Sequence, residues 1–91
     1  MPTPLFPPTA AEAPTGEALT DYDREHLIVY LRLLDAAADH ADWREVARLV
    51  LGLDPDQDSP GAERSFESHL HRARWMARSG YRHLLQEPPE G

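Results

Sequence analysis

Leu53 to Arg64 reads LDPDQDSPGAER and sets carboxylates two positions apart at Asp54, Asp56 and Asp58. Alternating acids open a calcium loop of the EF-hand type, in which positions one, three and five give oxygens, glycine at six makes the turn and a bidentate glutamate at twelve closes the shell. Counted from Asp54, position six is Ser59 and position twelve is Ser65. Pro60 and Gly61 are expected to redirect the chain before a twelfth ligand returns. The stretch therefore reads as a solvated acidic connector, and no metal is expected. His26, His40, His69, His71 and His83 contain no i, i+4 pair of the kind that holds zinc on a helix. No glycine-rich phosphate loop and no serine in a strained strand-to-helix turn are present, so neither an enzyme activity nor a cofactor is expected.

What lies on either side of the connector is more informative. Residues 1–19 carry Pro2, Pro4, Pro7, Pro8 and Pro14, have no apolar period, and read as a disordered arm. Thr20 or Asp21 then caps a helix running to about His40, with Asp21, Asp23 and Glu25 in the first turn, where the helix dipole favours acids. Its core stripe is predicted as Leu27, Leu31, Leu34 and Ala38. Ile28, Val29, Tyr30 and Leu33 make the helix apolar on nearly every side, which suggests a second face for a partner. Asp42 with Glu45 three positions on forms a capping box for a short second helix lined by Trp43, Val46, Ala47, Val50 and Leu51 and ended by Gly52. A long third helix is predicted over 62–79, with Phe66, Leu70, Ala73 and Ala77 inward and Gly80 as its stop. A short fourth follows over 81–86, and residues 88–91 form a tail.

The expected fold is all-α: a small four-helix domain over residues 20–87. A short helix, a connector and a longer helix, with another helix preceding them, follow helix-turn-helix order with an extended turn. A generic small helical bundle fits the same order.

Charge decides what such a domain would touch. The net charge is −7, which opposes non-specific binding to phosphates. Every cation is arginine. The acids concentrate before residue 59, and five of the nine Lys+Arg side chains follow it. The start of a recognition helix needs Arg, Lys, Asn or Gln toward base edges, whereas Glu63 and Glu67 stand there behind Asp54, Asp56 and Asp58. These five form an acidic, DNA-excluding face. Arg72, Arg74, Arg78 and Arg82 make a later basic patch that either meets DNA or complements the helix C-terminus. Trp75 falls off the Phe66 and Leu70 stripe. It is either covered by Tyr81, Leu84 or Leu85 or is a partner-facing anchor, since tryptophan, tyrosine and arginine dominate binding hot spots.

The longest apolar run, residues 27–31, is far short of the ~20 residues a membrane span needs. The absence of cysteine suits a reducing, cytoplasmic setting.

The segments DREHLIVYLRLLDA, DWREVARLVLGLD and FESHLHRARWMARSGYRHLL resemble a bacterial family of unknown function carried on integrative and conjugative elements, an extended-turn variant of helix-turn-helix. Some members of that family are fused in transcriptional activators of element transfer, and others stand alone as antiactivators. The lone domain and acidic face make this chain similar to the second kind. The resemblance implies an antiactivator that occupies the N-terminal domain of a transcriptional activator in place of the activator's own helix-turn-helix domain, with a LuxR-type quorum-sensing regulator as a second target. Tyr30, Leu33, Leu34, Trp75 and Tyr81 are the expected partner contacts, on a monomer that does not bind nucleic acid. The rival reading is a DNA-binding regulator using the late arginines, and a third is an antitoxin-like or scaffolding bundle.

Overall fold

The computed structural model describes residues 9–80 and Arg82, and every regular element among them is helical. Helix α1 (Asp21–Glu25) starts at Thr20, whose hydroxyl accepts from the Asp23 amide while the Asp23 carboxylate accepts from the Thr20 amide at 2.9 Å. That is a reciprocal cap with aspartate in the glutamate position. The single helix expected over residues 21–40 is broken at His26. There the Tyr22 carbonyl accepts from the His26 amide at 3.1 Å and also lies 2.7 Å from its Nδ1, and the Tyr22 and His26 rings stack at 3.9 Å. A side chain inserted into the backbone ladder is a usual cause of such a break. Helix α2 (Leu27–Ala38) continues from it and ends with His40 at φ 55. The amides of His40 and Ala41 return to the carbonyls of Ala37 and Ala36, a Schellman closure with histidine in the place glycine usually takes.

Helix α3 (Trp43–Leu51) is capped by the Asp42 carboxylate, which accepts from the Arg44 amide at 3.1 Å. Gly52 at φ 68 turns the chain so that the Leu53 amide reaches the Ala47 carbonyl at 3.0 Å. A side chain at this φ is strained even though open space surrounds the position. Gly52→Ala is therefore expected to lower unfolding free energy by about 1–2 kcal/mol, read as a lower urea midpoint at an unchanged slope.

Helix α4 (Ser59–Trp75) begins three residues earlier than predicted. Asp58 is its cap, accepting from the Gly61 amide at 3.0 Å, and Pro60 sits in the first turn, where a missing amide hydrogen costs nothing. Pro60 and Gly61 therefore start the helix instead of redirecting the chain. A Cβ at Gly61 would collide with the capping carboxylate. A wider, π-helical turn (Met76–Gly80) extends α4 and ends at the glycine expected to stop it. Of the fourth helix expected over 81–86, only Arg82 is among the described residues, and it is helical.

Helices α2, α3 and α4 pack against one another around Val29, Tyr30, Leu33, Val46, Leu51, Ala73, Trp75 and Met76. The buried face of α2 is thus not the predicted Leu27, Leu31, Leu34, Ala38 stripe. Leu31 is 45% exposed, while Asp23, His26, Tyr30 and Leu33 at helical spacing are buried. Two of those four are polar, which hid the stripe from a hydrophobic reading. The seven residues between α3 and α4 form the extended turn of a helix-turn-helix-like arrangement.

Residues 9–19, expected within a disordered arm, run along α4. The Ala13 amide donates to Ser68 Oγ at 2.8 Å, Thr9 Oγ1 donates to the Leu51 carbonyl at 3.1 Å, and Ala13 is buried. Hydrogen bonding from backbone to polar side chains of α4 holds this stretch, a device that leaves no apolar period in the sequence. Residues 1–8 of the expected arm lie outside the described ones.

Candidate nucleic-acid interface

The solvent face of α4 changes sign along its length. Glu63, Arg64 and Glu67 are exposed in its first half, followed by His71, Arg74 and, in the wide turn, Arg78, with Arg82 exposed beyond. Glu12 of the arm joins Glu63 and Glu67 in a shallow groove lined also by Ser59, Pro60 and Arg64. The acidic connector is exposed too, and its three carboxylates have separate tasks. Asp54 accepts from the Asp56 amide at 3.1 Å, Asp56 pairs with Arg48 at 3.0 Å, and Asp58 caps α4. These carboxylates are exposed, and they lie at the end of α4 that in a helix-turn-helix reader approaches base edges.

Arg72, expected in the basic patch, is not on the surface. It is 2% exposed and forms a fork with Asp23, which is fully buried: Nε to Oδ1 at 2.9 Å and Nη2 to Oδ2 at 2.7 Å. Its remaining donors reach the arm, Nη1 to the Gly16 carbonyl and Nη2 to that of Ala18 at 2.8 Å, and its guanidinium lies 3.7 Å from the centre of the Trp75 ring. Asp23 also accepts from the Tyr30 hydroxyl at 2.8 Å. Four hydrogen bonds thus engage the five N–H donors of Arg72, and bidentate geometry with further donors occupied is what lets a buried pair offset its desolvation. The patch that reaches solvent is thus Arg74, Arg78 and Arg82.

The same network corrects three of the expected partner contacts. Tyr30 and Leu33 are core residues with essentially no exposed surface, and Trp75 is 7% exposed. Leu34 is half-buried against the core, and Tyr81 lies outside the described residues, as do Leu84 and Leu85. The Arg72 guanidinium and core neighbours lie against Trp75. Among the described residues the large apolar side chains that do reach solvent are Ile28, Leu31 and Leu49.

Burial pushes the Asp23 carboxyl up, but hydrogen bonds from Arg72, Thr20 and Tyr30 outweigh it and hold the group down at about 2. Burial and the Asp23 charge push the Tyr30 hydroxyl far up, so it remains a donor. Because Asp23 titrates lower folded than unfolded, its contribution is complete above the ordinary value of 3.8 and disappears as pH falls from there to about 2. Roughly 2 kcal/mol of stability should go in that window. Urea midpoints measured between pH 6 and pH 2.5 should hold near-constant above pH 4 for this group and fall steeply below it, and Asp23→Asn should flatten the fall.

Sequence reasoning missed Asp23, Tyr22, Ser65, His69 and the inward role of Arg72. One signal was available: Ser65, His69 and Arg72 follow helical spacing on α4, as Asp23, His26 and Tyr30 do on α1 and α2. Two polar stripes of that kind can be buried only against each other.

Among the described residues no helix is long and apolar enough to cross a membrane. No curated protein matches the chain. The family model described as the T6SS transcription factor DNA-binding domain, RovC_DNA-bd, matches residues 5–86. That span includes the arm from residue 5 on, the extended turn and the late arginines. The match agrees with the coarser part of the resemblance, a small helical domain of transcription regulation, and its stated activity is DNA binding. The chain belongs to the RovC-type T6SS transcription factor DNA-binding domain family.

Proposed function

We propose that this chain is a DNA-binding transcriptional regulator that meets the duplex with the C-terminal half of α4 and the turn beyond it. The observation that carries this reading is the solvent-exposed set of Arg74 at the end of α4, Arg78 in the wide turn and Arg82 beyond it, in a helix-turn-helix-like domain. Arginines at spacings of four along a helix suit successive phosphate contacts, which fix register and orientation without reading sequence. Glu63 and Glu67 hold the other half of the helix away from phosphates, so the approach is oblique, with the late turns nearest the backbone. Binding of this kind is weak at physiological salt and strengthens as salt is lowered.

A second reading is favoured by the exposed acids Glu12, Asp54, Asp56, Asp58, Glu63 and Glu67. In it the domain is an antiactivator for element transfer or excision, which binds the N-terminal domain of a transcriptional activator, or a LuxR-type regulator, by protein contact. Such a contact would use surface that is exposed here, such as Ile28 and Leu31, and not Tyr30 or Leu33.

A low-salt mobility shift of the full chain with promoter duplex, run beside capture of the activator's N-terminal half, separates the readings. A salt-sensitive shift supports DNA binding. Capture with no shift at any salt replaces it with the antiactivator.

A further inference from the structure

One of the contacts that fasten the first described residues of the arm runs through a buried imidazole of α4. His69 is fully buried, with Nδ1 2.7 Å from the Ser65 carbonyl oxygen. A carbonyl only accepts, so Nδ1 carries the hydrogen and Nε2 of the neutral ring is an acceptor. Nε2 lies 2.5 Å from the Tyr22 hydroxyl, which therefore donates to it, and the same hydroxyl oxygen accepts the Ala10 amide at 3.0 Å. A proton on Nε2 removes the acceptor that the hydroxyl hydrogen uses. The protonated Nε2 then donates to the hydroxyl oxygen, and the displaced hydroxyl hydrogen competes with the Ala10 amide for the space around that oxygen.

We propose that the Tyr22–His69 contact is a proton-operated catch: protonation of His69 releases residues 9–13 from α4 and uncovers Ser65 and Ser68 while the helical core stays folded.

The release stops at Pro14 because the next stretch is held differently. The carbonyls of Gly16 and Ala18 are bound by Arg72, which stays charged at any pH of interest. Residues 9–13 otherwise depend on neutral hydrogen bonds, from Ala13 to Ser68, from Thr9 to Leu51 and, at a long 3.5 Å, from the Ser65 hydroxyl to the Ala10 carbonyl. The titratable groups around His69 are Tyr22 and His26, the latter stacked on the Tyr22 ring, while the Asp23 and Arg72 pair is mutually neutralised one turn along α4. The arm's Glu12 lies apart, in the groove with Glu63, Arg64 and Glu67. Burial also pushes His69 below its ordinary value of 6.5, which places the release on the acid side of neutrality. The catch is independent of whether α4 meets DNA or a protein.

The test is a series of amide correlation spectra of the full chain from pH 8 to pH 5, with the two imidazoles followed in parallel. The expected result is that the Ala10 and Ala13 amides move to unstructured positions with the midpoint of His69, while Val29, Ala47 and Ala73 hold theirs. His69→Gln should keep the arm signals fixed across the range. Tyr22→Phe should show them released already at pH 8, which keeps the proposal testable if the first variant does not fold. Arm signals that stay fixed through the His69 midpoint, follow His26 instead, or move only together with the core would overturn it. So would bound positions in Tyr22→Phe at pH 8.

Discussion

Arg72→Ala is expected to lower unfolding free energy by about 3–5 kcal/mol, because it leaves the Asp23 carboxylate buried with no cation. Domains of this size have a total stability near the lower end of the usual range, about 5 kcal/mol, so much of the population would be unfolded at room temperature. The size of the effect follows from geometry. Asp23 has no exposed surface, and the fork from Arg72 supplies both of its short charged contacts. Removing Arg72 also strips the Gly16 and Ala18 carbonyls of their donors, so the arm loses its anchor together with the core. Arg72→Lys keeps the charge without the fork and should fall between wild type and alanine. Urea denaturation followed by tryptophan fluorescence measures the series, and Asp23→Ala combined with Arg72→Ala completes a cycle. A single Arg72→Ala variant within about 1 kcal/mol of wild type, the range of a surface pair, would show that the pair is not closed to water.

The second large effect concerns binding. Replacing Arg74, Arg78 and Arg82 together by alanine should remove up to three phosphate contacts, each contributing about 0.9 to the slope of log affinity against log salt. Three contacts correspond to roughly a 40-fold loss of affinity between about 50 and 200 mM salt, and the variant should lose most of that salt response along with most of its binding at low salt. All three side chains are exposed, so stability should change little. Glu63→Gln with Glu67→Gln should act in the opposite direction, strengthening binding by relieving repulsion at the other end of the helix. Anisotropy titrations of labelled duplex, with thermal melts as the folding control, measure both. Equal affinity in wild type and the triple variant would move the contact elsewhere on the molecule.

The helical class, the order of the helices, the caps at Thr20 and Asp42 and the stop at Gly52 were legible because each rests on local chemistry: a side-chain oxygen before an apolar run, or a left-handed residue after one. The break at His26 was not, because it depends on a ring nitrogen 2.7 Å from the Tyr22 carbonyl, and histidine spacing alone carries no such information. Arg72 was misplaced for a deeper reason. Its position just before Arg74, Arg78 and Arg82 suggested a patch, but burial is decided by Asp23, 49 residues earlier, and by two carbonyls of the arm. A polar stripe buried by its complement looks the same in sequence as a polar stripe facing water. The misassignment of Tyr30 and Leu33 as partner contacts follows from the same error. An all-round apolar helix offers several faces, and the one chosen by the fold is the one carrying Asp23 and His26.

The arm follows the same logic. Proline content and lack of period remove the hydrophobic reasons for order, yet Arg72, Ser68 and Tyr22 give it hydrogen-bond partners that no composition measure counts. The family match beginning at residue 5 includes this segment.

The most direct test of the central claim, that DNA is engaged through the late turns of α4, is the salt dependence of duplex binding by the full chain and by the Arg74, Arg78, Arg82 alanine variant. The account predicts a clear negative slope for the wild type whose magnitude shrinks by up to about 2.7 in the variant. A wild-type affinity flat in salt, or a slope the three substitutions leave unchanged, would contradict it.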